Sequence, residues 1–272
     1  MIPISIFEKI FALCTRRVVI GQVGIIVTSR CTLKCKECSA LIPYCTQPLN
    51  KTLNDILNDI DILLDVVDYI YVVQLLGGEP FLHGDLDVII DKLSSSNKVA
   101  AINIVTNGTI LPNKKVITAM QNKKIRVQIS GYPKTLVKNI DGFIDILKLH
   151  NVKFNHSTSL KWRHMGDRSF KNRNNGELKE LFELCTSTLC NTLIDGEYHI
   201  CPISGNGMSF GVIPKNATDF VDIRSLPKME ARQSMRKFFS RKVFSACNYC
   251  DGNTIYSKII EPAEQVITPI VE

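Results

Sequence analysis

Three cysteines with the spacing C-x3-C-x2-C constrain this chain more than any other feature of its sequence. Cys31, Cys35 and Cys38 lie in a loop that follows an apolar run at 23–28. Iron–sulfur clusters normally take four cysteine thiolates, so three in one short loop leave an iron open to an outside ligand. A structural zinc loop is the alternative on ligand spacing alone. Cys45 follows in the same loop and is either a fourth ligand or a free thiol.

A second motif, Gly77-Gly78-Glu79-Pro80, ends the next apolar strand. Glycines let a ligand approach the backbone closely, and a neighbouring carboxylate accepts hydrogen bonds from an ammonium group. Together the two motifs resemble those of the radical S-adenosylmethionine (SAM) superfamily. In that family the cysteines hold a [4Fe-4S] cluster and the second motif grips the methionyl amine of SAM, so the resemblance implies both cofactors. Glu37 departs from the family pattern, which commonly has an aromatic residue there against the adenine.

Hydrophobic periodicity predicts alternating strands and helices along the first 155 residues. A short helix at 2–13 leads into strands at 23–28, 69–75, 101–106, 125–129 and 152–155, separated by helices at 52–67, 85–93, 114–121 and 138–150. Thr52 and Asp55 resemble a capping box, and Asp59, Asp61 and Asp65 are expected to be solvated. Such alternation implies parallel βαβ units, and the resemblance implies an open, partial (β/α)6 barrel, an α/β fold.

Two further strand ends carry small polar side chains beside a glycine. Thr106 and Asn107 end the third strand, and Ser130 ends the fourth. In the family, polar residues at these places contact the ribose and carboxylate of SAM. An ordinary Asn-Gly turn explains the third strand end equally well.

A second group of cysteines lies near the C-terminus. Asp195-Gly196 predicts a hairpin that pairs residue 194 with residue 197 and so Cys190 with Cys201. Cys247 and Cys250 follow as a C-x2-C pair, and the group resembles the twitch extension, a shortened SPASM domain that holds one auxiliary [4Fe-4S] cluster. The fourth ligand is Cys190 or Cys185, and the cysteine left over is a candidate hydrogen donor to a substrate radical. A four-cysteine zinc site is the alternative.

A basic loop at 157–176 is the remaining candidate for substrate contact. It contains Arg163, His164 and Arg168 among several other cations. Guanidinium groups bind phosphate bidentately, so this loop either receives an anionic part of the substrate or is simply solvated.

Composition limits the class of protein. A chain of 272 residues with 45% hydrophobic content can bury a large core, and a net charge of +7 spread along the sequence gives no argument for nucleic acid binding. No run is long and apolar enough for a membrane span, and the N-terminus lacks a signal-peptide pattern, so reduced thiols in the cytoplasm are expected. We predict a barrel at 1–176, an auxiliary cluster domain at 177–256 and a tail at 257–272.

The resemblance implies an enzyme that cleaves SAM reductively and removes a substrate hydrogen with the resulting 5′-deoxyadenosyl radical. We expect an oxidoreductase or epimerase acting on a carbohydrate, aminocyclitol or nucleotide-sugar, supplied with electrons by a flavodoxin or ferredoxin. The alternatives are a radical SAM enzyme that modifies peptides and, from another class, a non-catalytic zinc-binding module. The sequence leaves open the carbon attacked and the oligomeric state.

Overall fold

A mostly parallel sheet organises the fold. The computed structural model describes residues 17–48, 51–157 and 161–266. Its barrel strands are β1 (Val19–Thr28), β2 (Tyr69–Gly77), β3 (Val99–Thr106), β4 (Ile125–Ile129) and β5 (Phe154–His156). These five strands pair in chain order and all run parallel. Their carboxyl ends therefore share one edge, which is where loops of parallel α/β sheets carry functional groups.

Four helices cover one face of these strands. They are α1 (Leu53–Val66), α2 (Leu86–Ser95), α3 (Lys114–Met120) and α4 (Ile140–Leu149). Apolar side chains of these helices and of alternate strand positions form one buried core. The Thr52 hydroxyl accepts a hydrogen bond from the Asp55 backbone nitrogen at 3.2 Å and so caps α1, as predicted. The predicted alternating α/β fold is confirmed, while the predicted helix at 2–13 lies outside the described residues.

The C-terminal part extends the same sheet. Its elements are β6 (Trp162–Arg163), α5 (Asn175–Leu184), β7 (Asn191–Ile194), β8 (Glu197–His199), α6 (Pro202–Ser209), β9 (Phe220–Asp222), α7 (Lys228–Ser240) and β10 (Ile259–Ile260). Within the described ranges, eight strands form one sheet in the order β5-β4-β3-β2-β1-β7-β8-β9. β7 joins β1 in parallel, whereas β8 and β9 are antiparallel, and β6 pairs separately with β10.

The β7–β8 hairpin has the predicted register. Ile194 pairs with Glu197 across a turn in which Asp195 and Gly196 both have positive φ, 53° and 77°. The proposed domain boundary after residue 176 falls in the first turn of α5 and remains a prediction. In the part of the chain that the structure describes, no helix has the length and apolar character to cross a membrane.

One of the three aspartates expected to be solvated is buried. Asp59 of α1 accepts hydrogen bonds from Arg224 Nε at 2.6 Å and from the Gly196 backbone nitrogen at 3.1 Å. Asp61 and Asp65 make ion pairs at the surface, with Lys92 and Lys228. Helical periodicity alone missed the buried contact because the hairpin covers this side of α1. Asp59 therefore joins the barrel to the C-terminal hairpin.

We predict that Asp59→Asn lowers the free energy of unfolding by about 2 kcal/mol, because it breaks a charge-assisted hydrogen bond and leaves buried groups unpaired. Asp61→Asn is the matched control, since its exposed ion pair contributes about 0.5 kcal/mol or less. Chemical denaturation of the two variants tests this. Equal losses of stability would contradict the structural role of Asp59.

Candidate functional site

The two sequence motifs lie directly against each other. The Gly78 backbone nitrogen donates to Thr28 O and the Glu79 nitrogen donates to Arg30 O, both at 2.8 Å. A Cβ atom at Gly77 or Gly78 would lie 2.0 Å from the carbonyl oxygen of Thr28 or Arg30, respectively. Any side chain larger than hydrogen would therefore separate the two segments. The glycines hold the end of β2 against the start of the cysteine loop.

The three cysteines of this loop are close enough to influence one another. Burial raises the pKa of the Cys31 thiol to about 11 and that of Cys35 to about 12, and the neighbouring thiols add to both shifts. Burial also raises the pKa of Cys38. Asn107 Nδ2 lies 3.6 Å from Cys31 Sγ and 3.1 Å from Thr32 Oγ1, so the end of β3 contacts the loop as well.

The thiols of Cys31, Cys35 and Cys38 have the chemistry to hold an iron–sulfur cluster that takes three thiolate ligands. Among the described residues, no three His, Cys, Asp or Glu side chains are arranged closely enough to hold a metal ion as they stand. Buried thiols with raised pKa values stay protonated without a nearby cation, and ligand sites commonly form only as metal binds and protons leave. Cys45 is not turned towards this group, because its Sγ lies 3.6 Å from Ser29 Oγ and 3.4 Å from Gln47 O.

Glu79 is buried and links two strand ends. Its carboxylate accepts hydrogen bonds from Thr106 Oγ1 at 2.8 Å, from the Asn107 nitrogen at 2.9 Å and from the Phe81 nitrogen at 3.2 Å. Burial nevertheless raises the pKa of Glu79 to about 7. One oxygen, Oε2, has a single partner among these bonds, so it can still accept from a ligand.

The raised pKa predicts a pH-dependent stability of the metal-free protein. The folded state holds the Glu79 proton between the unfolded value of 4.5 and about 7, so stability falls as pH rises through this window. The integrated loss is about 3 kcal/mol. The slope of the unfolding free energy against pH should be smaller in Glu79→Gln, and an unchanged slope would contradict this assignment.

Residues 257–266 contact the cysteine loop. We call residues 257–266 the strap. The Lys36 nitrogen donates to Glu264 O, and the Val266 nitrogen donates to Lys34 O, both at 2.8 Å. The side chain of Gln265 accepts from the Lys34 nitrogen at 2.8 Å and donates to Cys35 Sγ at 3.3 Å. The strap thus holds the loop and places an amide donor on one of its thiols.

We predict that Gln265→Leu lowers the midpoint potential of a [4Fe-4S] cluster loaded on this loop. An N–H donor to a cluster sulfur stabilises the reduced, more negative state, and the leucine variant loses that donor. Glu264→Gln is the matched control, because it changes only an exposed ion pair with Lys36. Potentiometric titration followed by electron paramagnetic resonance measures both variants. A potential equal to that of the control would contradict the role of Gln265.

The second group of cysteines also comes together. Cys201, Cys247 and Cys250 each interact electrostatically with Cys185, and burial raises the pKa of all three. Cys190 interacts with Cys185 but not with the other three thiols, and its Sγ accepts a hydrogen bond from Gln22 Nε2 at 3.1 Å. The arrangement favours Cys185 over Cys190 as the fourth member of the set, against the cross-strand pairing considered from sequence.

Two arginines of the basic loop bind backbone carbonyl groups of the C-terminal part. Arg163 Nη1 donates to the carbonyl oxygens of Ile255 and Ser257, at 3.1 and 3.0 Å. Arg168 is 5% exposed and donates to Tyr249 O at 3.2 Å and Met165 O at 3.1 Å. Both guanidinium groups are engaged by the protein itself, so the expected role in holding a substrate anion is not assigned to them.

His164 and Arg173 also bind protein groups. His164 Nε2 lies 3.3 Å from Glu37 Oε1, which occupies the position where the family pattern has an aromatic residue. Arg173 Nη1 donates to Cys247 O at 2.9 Å and Cys250 O at 2.8 Å. From the sequence these residues were recognisable only as cations. The alternative expectation of a solvated loop is wrong for Arg168, which is buried.

Comparison with known proteins identifies the family of the barrel. Residues 25–153 match the model of the radical SAM superfamily. GTP 3′,8-cyclase of Campylobacter jejuni subsp. doylei is 25% identical over 172 residues, which is 62% of this chain and 53% of that protein. The same enzyme of Helicobacter pylori strain HPAG1 is 32% identical over 98 residues, 34% of this chain and 29% of its own. The chain therefore spans about half the length, or less, of these curated relatives.

Two solved structures share the fold over most of the chain. The structure of anSMEcpe with bound AdoMet and a peptide has a TM-score of 0.52 at 14% identity, covering 85% of this chain and 88% of that one. The structure of BtrN in complex with AdoMet and 2-DOIA has a TM-score of 0.51 at 15% identity, covering 88% of this chain and 98% of that one. At these identities the likeness concerns the fold alone.

Proposed function

Because residues 25–153 match the radical SAM superfamily, we propose that this protein uses SAM and a [4Fe-4S] cluster to abstract hydrogen from a C–H bond of a small substrate. The cluster would be held by Cys31, Cys35 and Cys38. When bound, it supplies the electron that splits SAM into methionine and a 5′-deoxyadenosyl radical. The observation that carries the proposal is the backbone contact between the cysteine loop and Gly77-Gly78-Glu79 at one edge of the sheet.

The residues around this edge have the chemistry to orient SAM. We assign the methionyl amine to the segment 77–80, including Pro80, where Glu79 Oε2 keeps acceptor capacity. Asn107 and Ser130 end neighbouring parallel strands and are assigned to the ribose and carboxylate of SAM. Thr106 supports them indirectly, because its hydroxyl donates to Glu79.

We further propose an auxiliary [4Fe-4S] cluster on Cys185, Cys201, Cys247 and Cys250, as in the twitch extension. Donor chemistry supports it: the four thiols interact with one another, and Arg168 and Arg173 donate to the backbone around Cys247 and Cys250. Positive groups beside thiolate ligands reduce the energetic penalty of the buried negative charge. Cys190 then remains a free thiol and is our candidate hydrogen donor.

For the reaction class we propose dehydrogenation or epimerisation of a carbohydrate, aminocyclitol or nucleotide-sugar. BtrN shares the fold over 88% of this chain and its structure holds 2-DOIA, which supports a small-molecule substrate. Peptide modification is the second candidate, because anSMEcpe, of similar fold, holds a peptide. We place the enzyme in the cytoplasm with a flavodoxin or ferredoxin as the electron donor, in keeping with unpaired thiols.

Anaerobic reconstitution tests the proposal. We predict about eight irons per chain, for two [4Fe-4S] clusters, and 5′-deoxyadenosine after reduction with dithionite in the presence of SAM. Cys31→Ala should abolish 5′-deoxyadenosine formation, whereas Cys45→Ala, the matched control from the same loop, should retain it. Cys185→Ala should lose about four irons, and Cys190→Ala should lose none.

Two outcomes would contradict the proposal. Reconstituted protein with its full iron content that forms no 5′-deoxyadenosine would remove the SAM chemistry. A protein that binds zinc at the second cysteine group and about four irons in total would remove the auxiliary cluster but leave the first assignment intact.

A further inference from the structure

The face of the parallel sheet opposite the four helices carries both apolar and polar side chains. We call it the inner face. Val23, Ile25 and Val27 of β1 face the helix-covered core, so the alternate residues Gly24 and Ile26 lie on the inner face. The same alternation holds in β4, where Ile125, Val127 and Ile129 belong to the core while Arg126 and Gln128 are exposed.

Strand register aligns three long polar side chains in one row of this face. Gly24 pairs with Gln74, Gln74 with Asn103, and Asn103 with Arg126. Residues paired in adjacent strands point to the same side and lie about 5 Å apart. The row therefore places two amides and one guanidinium side by side. In the next row, towards the carboxyl edge, Gln128 pairs with Asn155.

These side chains have no partners of their own. Within the described ranges, none of Gln74, Asn103 and Arg126 makes a side-chain hydrogen bond or an ion pair, unlike the basic loop, whose arginines are engaged. Towards β7 the inner face is covered by α6, because a Cβ on Gly205 would be 3.2 Å from Thr192 Cγ2. The space above Gly24 is taken by Leu76, whose Cδ2 would lie 2.9 Å from a Cβ at that position, so the row that faces outward consists of Gln74, Asn103 and Arg126.

We propose that this row is the recognition surface for a polyhydroxylated small molecule that carries an anionic group. Each amide offers both a donor and an acceptor, which suits hydroxyl groups of a sugar or cyclitol ring. The guanidinium of Arg126 binds a phosphate or carboxylate through two parallel hydrogen bonds. This inference rests on the proposed function and narrows its substrate class to polyhydroxylated molecules with an anionic group. It assigns the anion to Arg126 instead of to Arg163 and Arg168.

The row lies at a position along the strands that is compatible with the proposed hydrogen abstraction. Gly24 lies four residues before Thr28, so the row is about 13 Å along the strands from the edge that carries both motifs. Gln22 lies two residues further from the edge, and its Nε2 donates a hydrogen bond to Cys190 Sγ at 3.1 Å. A molecule on the row thus lies between the motif edge and the free thiol.

Binding of three probes to the reconstituted, SAM-loaded enzyme tests the proposal. Glucose, glucose 1-phosphate and glucuronate differ in the anionic group, and calorimetry measures each affinity. We predict that at least one anionic probe binds tenfold or more tightly than glucose. Arg126→Gln should remove that preference, and Gln74→Leu should weaken all probes that bind. Lys123→Gln is the matched control, since it removes one exposed positive charge three residues away and should leave the preference unchanged.

The result also separates the two proposals. Wild-type protein that forms 5′-deoxyadenosine but shows no preference for either anionic probe would overturn the recognition surface alone. An anionic preference that survives in Arg126→Gln, with iron content unchanged, would overturn it as well. Tighter binding of the phosphate or of the carboxylate probe identifies the anionic group.

Discussion

The close approach of two backbone segments underlies the whole site. The backbone nitrogens of Gly78 and Glu79 donate hydrogen bonds to carbonyl oxygens at the start of the cysteine loop. The two segments are so close that a Cβ atom at Gly77 or Gly78 would clash with those oxygens. Glycine is the only residue that permits such contact, and its conformational cost is met by the hydrogen bonds it allows. The cysteine loop is therefore fixed relative to β2 before any cofactor binds. Every assignment of a ligand to this edge of the sheet depends on that geometry.

The two cysteine groups belong to one connected structure. Met165 joins them, because its nitrogen lies 3.5 Å from Glu37 Oε2 and its carbonyl accepts from the Asp251 nitrogen at 2.7 Å. The strap provides a second link, running from the region after Cys250 to the bond between Gln265 and Cys35. Rigid connections between the groups would hold any clusters at a constant separation. The arginines of the basic loop bind backbone carbonyl oxygens around the second cysteine group. Their positive charges would stabilise those cysteines as thiolates.

The sequence was sufficient for the fold class. Alternating strands and helices, the cap at Thr52 and the hairpin at Asp195-Gly196 were predictable because local periodicity and turn chemistry determine them. It was not sufficient where distant segments meet. The burial of Asp59 depends on Arg224, and the contact of Gln265 with Cys35 spans 230 residues. The row of Gln74, Asn103 and Arg126 required strand register, since each residue alone resembles an ordinary polar position in a strand.

Mössbauer spectroscopy of the protein reconstituted with ⁵⁷Fe, before and after addition of SAM, tests the central claim most directly. Three thiolates in the first cysteine loop leave one iron without a protein ligand, so the account predicts that one iron of that cluster changes its isomer shift when SAM binds. The Cys185→Ala background simplifies the spectrum by removing the auxiliary irons. A spectrum that SAM leaves unchanged, with four equivalent irons on four protein ligands, would contradict the account.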